Sequence, residues 1–197
     1  INADAAQLVD HIRCSNAPEA ILRSCTDHIR AAMDLLQPWL HEGVYSAVFL
    51  DQEQGEFVYS EQDLTRIMPY SPVSGRKNPI SPAIKLWTEN DKVRGEAHFC
   101  ATYAGPPDSV HGGIIAAVFD ELLSMANIVN NTAGFTGSLT IKYHRPTPLN
   151  TTIALASECA RISGRKVISR GDMRVDGKIT ATAEGLFIMP VNKQGKE

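Results

Sequence analysis

The chain has few of the features that announce a function at once. Four cysteines occur in 197 residues, namely Cys14, Cys25, Cys100 and Cys159. They are scattered, with no CxxC pair, and a chain of this length buries enough apolar surface to fold without staples. Four reduced thiols are expected, and with them a cytoplasmic setting. There is no excess of positive charge. The formal net charge of −3 points away from nucleic acid, or an anionic membrane, as the main partner. The longest apolar run, Ile114–Phe119, falls far short of the roughly 20 residues of a membrane span. The first ten residues include Asp4 and Asp10 and lack the basic end and apolar stretch of a secretory signal. The six histidines show no HExxH or similar spacing, so no metal site is expected. GxGxxG and Walker motifs are missing too, which removes the common nucleotide folds.

What remains is ordinary globular composition, and the pattern changes along it. Over residues 1 to about 43, Leu8, Ile12, Ile21, Leu22, Ile29, Met33, Leu36 and Leu40 recur at helical spacing. Asn16-Ala17-Pro18-Glu19 reads as the start of a second helix, and Gln37-Pro38 as its end or kink. Two apolar-aromatic runs between 44 and 60 suggest a hairpin. Residues 67–82, rich in Pro, Gly and Ser, read as an ordered linker. Beyond it, Ile84–Trp87 and Val93–Tyr103 read as strands about the turn Glu89-Asn90-Asp91. A helix is predicted from about 112 to 130, and strands near 136–144, 151–162, 166–175 and 178–188. Ser163-Gly164 and Asp176-Gly177 stand where hairpin turns belong. The expected organisation is a helical N-terminal extension over 1–66, the linker, and an α+β domain over 83–190. That domain would be one helix against a curved antiparallel sheet.

The helix from 112 carries the functional signal. On a wheel, Ile115, Val118, Phe119, Leu122, Ala126 and Val129 form one apolar face. Gly113, Ala117, Asp120, Ser124 and Asn127 form the opposite one. That second face is small and polar with a single carboxylate, unlike a solvated face filled by Lys, Glu and Gln. His111-Gly112-Gly113 opens the helix. The glycine N–H groups there have no intrahelical acceptors and can bind an anion or a developing oxyanion.

Gly105-Pro106-Pro107, His111-Gly112-Gly113, Asp120-Glu121, Tyr143–Leu149, Ser163-Gly164-Arg165-Lys166 and Ala183–Phe187 occur in that order. With Ser74–Pro79 and Ile84–Trp87 upstream, this set resembles hotdog-fold acyl-CoA thioesterases of the phenylacetyl-CoA (PaaI-type) family and their long-chain relatives. The resemblance covers about residues 70 to 190. It implies a hotdog fold and a homodimer or dimer of dimers with sites at the subunit interface. The substrate would be an acyl-CoA or aryl-CoA, with no cofactor beyond the coenzyme A it carries. Asp120 would be the general base or nucleophile, and the amides of Gly112 and Gly113 the oxyanion hole. Thr136 and Ser124 match hydroxyls used in different branches, and His111 would fix the loop. Arg165 and Lys166 match nucleotide-contacting positions, with Lys142 and Arg161 as weaker candidates. Glu121 is the rival carboxylate. Part of the family carries an amide side chain where this sequence has Gly105. Two other functions compete, a non-catalytic acyl-CoA-binding hotdog module and a hotdog enoyl-CoA hydratase using a His with an acid.

Overall fold

Alternation of buried and exposed side chains builds the sheet. The computed structural model describes residues 1–40 and 61–191. Its strands are β1 (Ala83–Glu89), β2 (Lys92–His98), β3 (Phe135–Tyr143), β4 (Thr152–Ser163), β5 (Lys166–Val175) and β6 (Lys178–Ile188). Val93, Gly95 and Ala97 on β2, and Ile153, Leu155 and Ser157 on β4, point inward, while their neighbours along the strand face out. The strands pair in the order β1-β2-β4-β5-β6-β3, antiparallel throughout. The hairpin turns fall where the sequence places them. Asn90, Asp91, Gly164, Asp176 and Gly177 all take positive φ there. The strand expected to run to Tyr103 stops at His98, and Ala101–Tyr103 forms a single 3-10 turn. The hairpin expected between 44 and 60 lies outside the described residues.

The sheet wraps α3, the helix Gly112–Val129, giving the hotdog arrangement. Among the described helices, only α3 is long and apolar enough to suit a bilayer, with a mean hydropathy of 1.5. Its apolar residues are spent inside the sheet. Ile115, Val118, Phe119, Leu122, Leu123, Met125 and Ala126 are all 3% exposed or less. Each large side chain removed from water in this way contributes about 1.5–3 kcal/mol. Close seating of α3 depends on small residues beneath it. A Cβ on Gly171 would lie 2.8 Å from the Ala156 carbonyl and 3.1 Å from Leu123.

One residue of the expected polar helix face is elsewhere. Asn127 is fully buried, and its Oδ1 accepts a 2.5 Å hydrogen bond from Ser169 on β5. The strand supplies a hydroxyl for the amide oxygen, while the amide Nδ2 meets no partner among the described residues.

At the N-terminus, α1 (Asn2–Cys14) lies against the 3-10 turn, where Thr102 donates to Asp10. Helix α2 (Glu19–Leu36) has Pro18 at its N-cap position and no side-chain cap, and none of its residues is buried. Gln37–Trp39 follows it as a 3-10 turn. Segment 67–82 is folded against the domain. Ser71, Ser74 and Gly75 are buried, and Lys77 N–H reaches back to the Pro69 carbonyl at 2.8 Å.

If Gly171 sets the distance between α3 and the sheet, Gly171→Val forces backbone and Leu123 apart. The expected loss is ~1–3 kcal/mol of unfolding free energy, read from chemical denaturation. An unchanged midpoint would mean that the gap is not tight.

Candidate functional site

Strand β3 and helix α3 run past each other and are tied near both ends of the strand. At one end, Tyr143 Oη donates to the Gly112 carbonyl at 2.9 Å. At the other, Thr136 Oγ1 donates to Asp120 Oδ1 at 2.7 Å. The second contact unites two residues singled out in the sequence. A register shift between Thr136 and Ser138 opens β3 locally next to it. The hydroxyl spends its only proton on Oδ1, which leaves Oδ2 available to water or substrate. Asp120 is half-buried and Thr136 exposed, on a strand at the edge of the sheet.

Ser124 is not part of that contact. Its Oγ donates at 2.8 Å to the backbone carbonyl of Asp120, the i−4 bond common for serine within a helix.

The two glycine amides differ. His111 is the N-cap of α3, and its Nδ1 accepts the Gly113 N–H at 2.9 Å. The imidazole thus does the work that a capping hydroxyl usually does. Gly112 N–H meets no acceptor among the described residues, so it is the amide that remains available. Gly105 explains the missing amide side chain. A Cβ there would lie 2.7 Å from His111 Cα, so this backbone admits nothing larger. Tyr143 opens the Tyr143–Leu149 motif, which points to no role for its hydroxyl. Its hydroxyl finds Gly112 across thirty-one residues, a contact that no local pattern encodes.

The basic candidates separate. Lys166 pairs with Ile188, and Ile188 with Phe135, the residue before Thr136. Two strand spacings, about 10 Å, divide Lys166 from that row. Arg165 sits in the same turn, its Nε donating to the Met189 carbonyl at 2.9 Å, and Arg161 is nearby on β4. Lys142 is far along β3. It lines an outer trench of about 900 Å³ with Lys92, Arg94 and Arg170.

Glu121, the other carboxylate, points away from β3. Its Oε2 accepts from Ser71 Oγ and its Oε1 from Ser74 Oγ. Burial pushes its carboxyl above the usual value. The two serine bonds pull the other way, and the charge of Asp120 adds to the rise.

Residues 108–181 match the sequence profile of the Thioesterase superfamily. The acyl-coenzyme A thioesterase THEM4 of Xenopus laevis is 33% identical over 86 residues, covering 43% of this chain and 39% of that protein. THEM4 of Bos taurus is 34% identical over 110 residues, covering 52% and 44%. The chain thus spans less than half the length of these curated relatives. A crystal structure of a thioesterase-superfamily protein is similar with a TM-score of 0.82 and 28% identity, over 95% of this chain and 88% of that one.

Because its proton is held more tightly when folded, Glu121 costs stability as the pH climbs. Below its ordinary value of about 4.5 the group is neutral in both states and the cost vanishes. Glu121→Gln keeps a neutral group at every pH. Its melting temperature relative to wild type is expected to rise between about pH 4 and pH 7. A difference that stays flat would show that the ionised group is not penalised.

Proposed function

We propose, from the match of residues 108–181 to the Thioesterase superfamily profile, that the protein hydrolyses acyl-CoA or aryl-CoA thioesters with Asp120 as the reacting carboxylate. The observation that carries this is the 2.7 Å Thr136–Asp120 hydrogen bond, which orients one carboxylate oxygen and frees the other. As general base, Oδ2 takes a proton from water while the water oxygen bonds to the thioester carbon. The carbonyl oxygen becomes an oxyanion and is met by a backbone N–H. On collapse the C–S bond breaks, and the CoA thiolate leaves and takes up the proton. In the alternative route Oδ2 itself bonds to the carbonyl carbon, expels the thiolate and leaves an anhydride for water to open. A single turnover in ¹⁸O-water separates the two, since only an anhydride opened at the Asp120 carbonyl can place ¹⁸O on Asp120 and leave an unlabelled product. Arg165 and Lys166, near the Thr136 end, suit the phosphates of coenzyme A.

The amide of this mechanism belongs to a second copy of the chain. Gly112 and Asp120 are eight residues apart on one helix, so about 12 Å of helical rise separates them. One carbonyl group must lie about 3 Å from both its attacker and its oxyanion donor. A rigid helix cannot supply both to one substrate. A two-fold pair of chains can, each giving Asp120 to one site and Gly112 to the other. This supports a homodimer with shared sites.

Asp120→Asn is expected to lower kcat by ~10²–10⁴ on the best substrate of an acyl-CoA panel. Full activity in that variant would remove Asp120 from the chemistry. No CoA release by wild type from any chain length would remove the thioesterase reading, and enoyl-CoA hydration or binding without turnover would then be scored. Gly112→Val is expected to lose activity as well, because its methyls reach beyond a Cβ that already lies 3.6 Å from the Tyr143 hydroxyl. Refolding the two inactive variants together should restore about a quarter of wild-type activity, since half the dimers are mixed and each mixed dimer keeps one intact site. No recovery, with mixed dimers demonstrated, would mean that the two residues do not act across the interface.

A further inference from the structure

We propose that Glu121 is a positioning residue that locks segment 68–78 to α3 and so fixes the setting of Asp120. The proposal rests on Asp120 being the reacting carboxylate. It starts from hydrogen-bond accounting. Ser71 Oγ accepts from the N–H groups of Val73 at 3.0 Å and Ser74 at 3.3 Å. Both of its lone pairs are then used, so its one proton goes to Glu121 Oε2. Ser74 Oγ reaches the other oxygen. Both carboxyl oxygens are therefore occupied, and Ser71 and Ser74 are themselves 9% and 3% exposed.

The segment that presents these hydroxyls is firmly shaped. Gly75 N–H donates to the Ser71 carbonyl at 3.1 Å, and Asn78 Nδ2 to the Tyr70 carbonyl at 3.0 Å. A Cβ on Gly75 would come within 2.3 Å of the Ser71 nitrogen, so the turn closes only over glycine. Around Glu121 lie Val73, Ile84, Leu86, Val118, Leu122 and Leu155, an apolar lining that offers the carboxyl no other partner. The hydrogen bonds from Ser71 and Ser74 to α3 thus both fall on the residue next to Asp120.

Consecutive helical residues are ~100° apart, so the two carboxyls leave α3 in different directions. Glu121 is gripped on one flank and Asp120 meets Thr136 on another. With both held, α3 can neither turn about its axis nor slide. Releasing the Glu121 grip lets Asp120 drift from its water or thioester carbon, an error that costs rate and leaves substrate binding intact. This is what distinguishes a positioning residue from one that touches substrate.

The test compares Glu121→Ala, Glu121→Gln and Ser74→Ala with wild type in the full chain. Glu121→Ala is expected to lower kcat by ~10- to 100-fold, with KM changed by less than about 3-fold. Glu121→Gln should restore kcat to within about 3-fold of wild type, because its amide accepts from Ser71 and donates to Ser74. A folded Glu121→Ala protein with wild-type kcat overturns the proposal. So does a Gln variant as inactive as Asp120→Asn, which would make the charge of Glu121 itself part of the chemistry. Should Glu121→Ala fail to fold, Ser74→Ala decides, with a drop in kcat expected and unchanged kcat overturning. Should wild type release no CoA, the thioesterase reading fails separately. Hydrogen exchange across residues 112–121 then carries the question, with faster exchange in Glu121→Ala expected and an unchanged pattern overturning.

Discussion

The setting of α3 within the sheet is the constraint on which the rest of the molecule depends. A helix is rigid along its axis, and every group it carries moves with it. α3 is fixed by an apolar stripe against the inner face of the sheet, by buried bonds from Ser157 and Ser169 on the strands, and by polar contacts around its carboxylates and first turn. Tyr143 on β3 holds the carbonyl of Gly112, Thr136 on the same strand holds the Asp120 carboxylate, and Ser71 and Ser74 hold Glu121. The apolar stripe supplies most of the free energy but is tolerant of small rotations, because dispersion contacts have no direction. Hydrogen bonds contribute about 1 kcal/mol each, yet they demand an angle. The sheet decides that α3 is buried, and the polar ties decide which way its carboxylates look.

That division explains what could be read from the sequence. The helix bounds, the four C-terminal strands and the Asp-Gly and Ser-Gly turns are written in local periodicity and backbone preference, which act between neighbours. Asp120 and Thr136 were each legible from resemblance, and the structure brings them into contact. What was illegible depends on partners distant in the chain. Ser124 has the right spacing to join Asp120, but its proton goes to the helix backbone. Asn127 looks like a polar-face residue on a wheel, yet β5 presents Ser169 to it and the pair is buried. Segment 67–82 has the composition of a linker. Its serines are there to donate to Glu121, fifty and forty-seven residues later in the chain.

The start of α3 shows the same logic in small. Two adjacent glycines suggest two equivalent amides, but His111 turns back and occupies one of them. The remaining N–H, on Gly112, shares its peptide plane with the His111 carbonyl, which accepts from Ile114 and Ile115, and the next plane is clamped at the Gly112 carbonyl by Tyr143. Gly105 lets the loop close on His111 with backbone alone. A donor needed for a developing charge works best when it does not have to reorganise, and each of these contacts removes a way for the first turn to relax.

Asp120 and Glu121 are the same chemistry in adjacent positions, and their surroundings assign them different work. A carboxylate that is to exchange protons with water or attack a carbonyl must keep an oxygen uncommitted and be reachable. Asp120 meets both demands, with one hydroxyl donor and partial exposure toward the open edge of the sheet. Glu121 meets neither, since both its oxygens are engaged and its surroundings are apolar. Burial raises its hold on a proton, and the neighbouring charge raises it further, which is the expected consequence of seating two acids side by side and drying only one. The dry carboxyl is suited to be a fixed point, and the wet one to be a reagent.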